Sequence, residues 1–259
     1  MVGNLDLIRN LTGESQSDEK CGKSMTKLTV RRLLNALIVV MVFGAWFFMM
    51  FRSQARSGAT LQVAGLGSLK YYTILSNLLA GFAAIFWLYT SLSATSLRGM
   101  RSRGIAAGGG RSIHAAEVLK YAATVSVSLT FLVVIFFLAP TMGGLLKMYQ
   151  GANLFLHLIV PVVCIAEQIL FRDEELTRGE NFLTVVPTLV YGVIYLGNIM
   201  LNGRGSGKTT NDWYGFARWG IPVGFVIFAV IAGVTFGVGA ALRRLRQPRL
   251  PRQRRTGRR

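Results

Sequence analysis

Charge is in short supply in this chain. Asp, Glu, Lys and Arg occupy 15% of its 259 positions, against about 25% in a soluble domain. A water-facing globular surface is therefore excluded for most of its length. Cysteine and histidine occur only twice each. Cys21 lies in the N-terminal segment and Cys164 inside an apolar run, so no disulfide framework is expected. Nothing alternates polar and apolar residues as a barrel strand would. The first 24 residues are polar and carry no apolar h-region, so no cleavable signal peptide is expected. Met25, ahead of TKLTVRR, is an alternative start to Met1.

What is abundant is apolar residue, at 52%, and it comes in blocks. Six stretches are almost free of charge: Leu33–Phe51, Tyr71–Leu92, Val118–Ala139, Ala152–Phe171, Phe182–Leu201 and Trp219–Leu242. Each meets the requirement of about 20 residues for a helix crossing a hydrocarbon core about 30 Å thick. Lipid cannot satisfy free backbone groups, so helices are the expected form. The sequence predicts an all-α polytopic membrane protein, a bundle of six transmembrane helices over residues 30–242. Residues 1–29 are expected to be a disordered cytoplasmic tail and residues 243–259 a basic cytoplasmic tail.

Charge sets the expected topology. Twenty-two of the 29 basic residues fall in the N-terminal tail, the second and fourth loops with Lys120, and the C-terminal tail. The other side holds seven: Arg52, Arg56, Lys70, Lys147, Arg204, Lys208 and Arg218. The positive-inside rule places both termini in the cytoplasm, as an even number of spans requires, in a bacterial inner membrane. The tail RRLRQPRLPRQRRTGRR reads as a juxtamembrane segment for anionic lipid headgroups. It has no interleaved aromatics and no folded module, so nucleic acid is not the expected partner. Residues 202–210, NGRGSGKTT, imitate a phosphate-binding loop, but Asn202 stands where the first glycine belongs and no strand precedes it.

Polar residues inside the spans mark converging faces. In the second helix Thr73, Ser76, Asn77, Gly81 and Ala84 form one stripe. In the fourth, His157, Pro161, Cys164 and Gln168 do the same, and in the fifth Tyr191, Tyr195, Asn198 and Asn202. Thr73 lies roughly 3–5 Å and His157 roughly 8 Å below their helix starts. The candidate site is thus Thr73 and His157 with Asn77, Tyr195, Asn198 and Tyr214, in the outer third of the bundle. Trp213, Tyr214 and Phe216 form its lid or an interfacial anchor. Bland roles compete: a helical Thr bonds back one turn, and Asn joins helices. Gly220/Gly224 and Gly233/Gly237 read as close-packing pairs. Cys164 and Glu167 point toward the inner side, leaving His157 without partner ligands, so neither a metal nor another cofactor is expected.

The runs LKYYTILSNLL, LHLIVPVVCIAEQILF and P-x3-Y-x3-Y-x2-N, followed by DWYGF, resemble the androgen-induced protein family, to which the androgen-dependent tissue-factor-pathway-inhibitor-regulating proteins belong, in its bacterial branch. The resemblance covers roughly residues 30 to 242. It implies a transmembrane threonine hydrolase of fatty-acid esters, in which Thr73, after Lys70-Tyr71-Tyr72, is the nucleophile. His157, four residues ahead of Pro161, is the base. Asn77, Tyr195, Asn198 and Tyr214 are then candidates for the oxyanion and the substrate pocket. Animal members carry an aromatic-Pro-Phe loop where this chain has Asp212-Trp213-Tyr214-Gly215-Phe216, which leaves the substrate open. A small transporter or a non-catalytic membrane scaffold would use the same architecture.

Overall fold

A computed structural model of the chain describes residues 3–52, 65–101, 110–141, 144–171, 176–206 and 210–246. Among them six helices are long and apolar enough to cross a membrane. They are α1 (Met25–Phe51), α2 (Tyr72–Thr95), α3 (Arg111–Phe136), α4 (Ala152–Leu170), α5 (Arg178–Asn202) and α6 (Ile221–Arg246). No strand occurs among the described residues. The protein is an all-α, multi-pass membrane bundle.

The ends differ from the hydropathy bounds in an instructive way. The helix containing α1 starts at Gly3, so most of the segment expected as a disordered tail is helical. Once nucleated by an apolar span, a helix extends at one hydrogen bond per residue. α3 begins at Arg111, ahead of the expected Val118, because Glu117 and Lys120 are fully buried rather than left at a surface. α5 starts on a capping box: Glu180 N donates to Thr177 Oγ1 at 3.2 Å, and Thr177 N to Glu180 Oε2 at 2.7 Å. α6 takes in Arg243, Arg244 and Arg246; the rest of the basic tail lies outside the described residues.

Successive helices run in opposite directions. Arg31, near the start of α1, pairs with Glu117 near the start of α3 and Glu167 near the end of α4. Arg246, at the end of α6, also reaches Glu117. These residues mark the terminal end of the bundle; Thr73 and the lid mark the far end.

α3 is the most buried span and packs against α2, α4 and α6. Its composition explains the position. Ala116, Ala122, Ala123, Ser126 and Ser128 let neighbouring backbones approach. The hydroxyls of Ser126, Ser128 and Thr130 each donate to the carbonyl four residues back, and Thr130 Oγ1 also meets Ser76 Oγ of α2 at 3.1 Å. The outward faces are apolar: Val40, Phe82, Val193 and Val226 are all more than half exposed, which suits lipid and not water.

Of the glycine pairs expected to pack closely, Gly224 of the first does and Gly233/Gly237 do not. A Cβ on Gly233 or Gly237 would meet nothing within 4 Å. On Gly239 it would lie 2.5 Å from Asn181 Oδ1 and 2.9 Å from Thr184 Oγ1. On Gly224 it would press Leu196 at 3.1 Å. Spacing identified the helix, but only the neighbour's side chain decides which glycine must stay bare.

Candidate functional site

The far end is closed by the loop after α5, whose aromatic residues are stitched into the bundle. The first N–H groups of a helix have no partner within it. Here Tyr72 N donates to Tyr214 Oη at 3.0 Å, so the loop caps α2. Tyr191 Oη donates to Lys70 O at 2.8 Å and accepts from Trp213 Nε1 at 3.0 Å. Tyr195 donates its hydroxyl to Asp212, which also accepts from Ala217 N at 3.1 Å. Tyr195, Tyr214, Phe216 and Phe228 add ring contacts with centroids 5.1–5.9 Å apart. Trp213, Tyr214 and Phe216 are thus packed into the ends of the helices. Burial pushes the Tyr214 hydroxyl up to about 12.

Thr73 lies one residue inside this cap. Its hydroxyl makes no hydrogen bond among the described residues, and it faces a cavity of about 50 Å³. Thr130, Thr188, Tyr72 and Tyr214 share the lining. Four residues on, Asn77 Nδ2 donates to Thr73 O at 2.8 Å and across to Leu156 O of α4 at 3.0 Å. One amide therefore holds the two carbonyl oxygens within about 6 Å of each other. His157 follows Leu156, is 7% exposed, and its Nδ1 is buried without a hydrogen-bond partner. Thr73 and His157 do not hydrogen-bond to each other.

The turn that carries His157 is wider than an α turn. Residues Phe155–Ile159 form a π turn, closed by Val160 N donating to Phe155 O. Pro161 explains it: proline lacks the N–H that would reach the carbonyl four residues back, and its ring crowds that carbonyl. The residue four back is His157, the middle of the turn. The same arrangement recurs before Pro140, where Val134–Leu138 form a π turn centred on Phe136. Such turns are rare, and here each follows from one proline.

The remaining predicted residues fall elsewhere. Tyr195 and Asn198 line a separate, larger groove between α2 and α5, on the other side of Tyr72 and Tyr191. Asn198 Oδ1 accepts from Asn202 at 2.8 Å. Asn77 has both amide hydrogens committed to carbonyls. Of the four candidates for substrate contact, Tyr214 is the one that shares Thr73's cavity.

Sequence reasoning missed a second site at the terminal end. Glu167 Oε1 accepts from Arg31 Nε at 2.6 Å, from Lys120 Nζ at 2.8 Å and from Asn35 Nδ2 at 3.3 Å. Glu117 Oε1 lies 2.6 Å from Arg31 Nη2 as an ion pair and accepts from Trp87 Nε1 at 2.7 Å, with the Arg31 guanidinium 4.3 Å from the Trp87 ring. Arg246 donates to Gln168 and lies 3.5 Å from Glu117 Oε2. Each of these residues' side chains bar that of Trp87 is polar or charged, and none is more than 4% exposed. The signal was present in Glu117 and Lys120, three apart at the edge of an apolar run, but their partners come from other helices. No family model matches the chain, and neither a curated protein nor a solved structure matches it.

Proposed function

We propose that the protein is a membrane-embedded lipid-ester hydrolase with Thr73 as nucleophile and His157 as general base, akin to the bacterial branch of the androgen-induced family. The observation that carries this reading is the Asn77 amide, which ties the turn holding Thr73 to the Leu156 carbonyl beside His157 while both reactive groups stay uncommitted. In this scheme His157 takes the hydroxyl proton as Thr73 Oγ1 attacks the ester carbonyl, and returns it to the departing alcohol. The acyl group remains on Thr73 until water, deprotonated by the same imidazole, releases the acid. Tyr214 is the donor best situated for the oxyanion, since it borders the same cavity. A cavity of about 50 Å³ holds a few waters and no lipid chain, so turnover requires the lid to shift. The distribution of basic residues supports both termini in the cytoplasm of a bacterial cell and the Thr73 end at the outer face.

Purified protein in detergent, treated with a fluorophosphonate probe, is expected to label at Thr73. Equal labelling of wild type and Thr73→Ala, or no turnover across a panel of lipid esters, rejects the assignment.

A second reading rests on the buried charge network. Ionisable groups inside a span usually serve transport paths, and five of them join α1, α3, α4 and α6 here. A permease predicts flux in proteoliposomes that Glu167→Gln abolishes, with no ester turnover.

A further inference from the structure

The groove between α2 and α5 is a recess at the far end with a volume of about 500 Å³. Its inner wall is Tyr72 and Tyr191, whose rings stand 5.1 Å apart and separate it from Thr73's cavity. Its rim is formed by Leu75, Val190 and Ile194, all exposed on the lipid-facing surface. From Lys70 at the mouth to Leu79 at the foot the groove runs about 13 Å along the bundle. It is therefore a slot, apolar and open sideways, of the shape that takes one extended hydrocarbon chain.

The mouth is charged. Lys70 Nζ sits 5.4 Å from the Tyr71 ring and 5.5 Å from the Trp213 ring, and no carboxylate pairs with it among the described residues. An ammonium has three protons to donate, and ring faces satisfy none of them as an anion would. The sequence agrees: the segments its charge pattern assigns to this end hold seven basic residues and one acidic residue, Asp212, which is already committed to Tyr195 and the Ala217 N–H. Positive charge at the edge of a hydrocarbon slot complements an anionic headgroup joined to an acyl chain.

We infer that this groove is a binding site for an anionic phospholipid, one acyl chain lying between α2 and α5 and the phosphate held at Lys70 beside Trp213. The site stands apart from the hydrolase reading, because Thr73 does not line it and the lipid is held, not cleaved.

Native mass spectrometry of the full chain in detergent tests this directly, with phosphatidylglycerol and phosphatidylcholine of equal chain length offered in turn. One intact phosphatidylglycerol is expected to bind about fivefold more tightly than phosphatidylcholine, the increment of one surface lysine. Lys70→Gln should bring the two lipids level. Ile194→Trp, at a rim position that is 63% exposed and so tolerant of bulk, should exclude both. Equal binding of the two lipids by wild type overturns the inference. So does undiminished phosphatidylglycerol binding by Ile194→Trp. Because the readout is the mass of uncleaved lipid, loss of ester turnover in Thr73→Ala leaves the result unaffected.

Discussion

The side-chain amide of Asn77 donates to the main-chain carbonyl of Leu156 at 3.0 Å, and through that bond α2 and α4 share one fixed point next to His157. Replacing Asn77 by Leu removes this bond and the one to Thr73 O. An interhelical bond of this kind contributes about 0.6–1.7 kcal/mol, so the bundle should persist with a slightly lower melting temperature. Turnover should fall more sharply, by about a hundredfold, because a 1 Å misplacement of reacting groups has that effect. Ser76→Ala, which loses the 3.1 Å contact with Thr130 in the same turn, should do far less. Kinetics and thermal unfolding of the two variants side by side decide the matter.

Pro161→Ala separates position from stability. The new N–H can bond to the His157 carbonyl, which allows Phe155–Ile159 to tighten from a π to an α turn. The melting temperature should hold or rise while ester turnover drops, since His157 rotates with the turn. A variant that loses both together would show that the proline serves folding alone.

Glu167 is the hub of the terminal-end network, accepting from Arg31, Lys120 and Asn35. Glu167→Gln leaves buried cations without their counter-charge, a change that costs about 3–5 kcal/mol. The partly exposed pair of His114 Nε2 and Glu180 Oε1, at 2.5 Å, offers the contrast: Glu180→Gln should cost under about 1 kcal/mol. Thermal unfolding in detergent measures both.

Gly239 is the tightest helix crossing among the described glycines. Tyr121 Oη lies 2.5 Å from Asn181 Oδ1 and 2.6 Å from Gly239 O, its one proton shared between them, so the atom a new methyl would strike is itself held. Gly239→Ala should destabilise by about 1–3 kcal/mol. Gly233→Ala and Gly237→Ala, facing open space, should be neutral or slightly stabilising. Comparing the three melting temperatures tests the packing directly.

Tyr214 supplies a pH window. Its hydroxyl is raised from 10.0 to about 12, chiefly by burial. Below pH 10 the group is protonated folded or unfolded, and its full stabilising effect is present. As pH climbs from about 10 to about 12 the unfolded chain releases its proton first, so the lid loses stability across that interval. Tyrosinate absorbance should show a late-titrating phenol that Tyr214→Phe removes. A titration unchanged in that variant would place the late proton elsewhere.

Much of this molecule is legible in its sequence. The six spans agree with the hydropathy blocks to within a few residues at the far end, because run length against bilayer thickness is a one-dimensional property. The stripe Thr73, Ser76, Asn77 was readable from helical period, and all three point into the bundle. The charged ends of α3, α4 and α6 were not readable. Hydropathy leaves Glu117 just outside one apolar run and Lys120 and Glu167 within two of them, and says nothing of the pairing with Arg31 that lets them be buried.

By itself, then, the sequence determined an all-α bundle of six membrane-spanning helices, the existence of polar faces on α2, α4 and α5, and the proline that widens the turn at His157. Tertiary structure decided which polar groups meet. It joined Asn77 to Leu156, committed Tyr195 to Asp212, placed Tyr214 and not Asn198 beside Thr73, and closed the pair between Arg31 and Glu167. The physical reason is that a helix's period fixes which way a side chain faces, a local quantity. Which neighbour it faces depends on contacts 79 positions apart for Asn77 and Leu156, and 136 apart for Arg31 and Glu167.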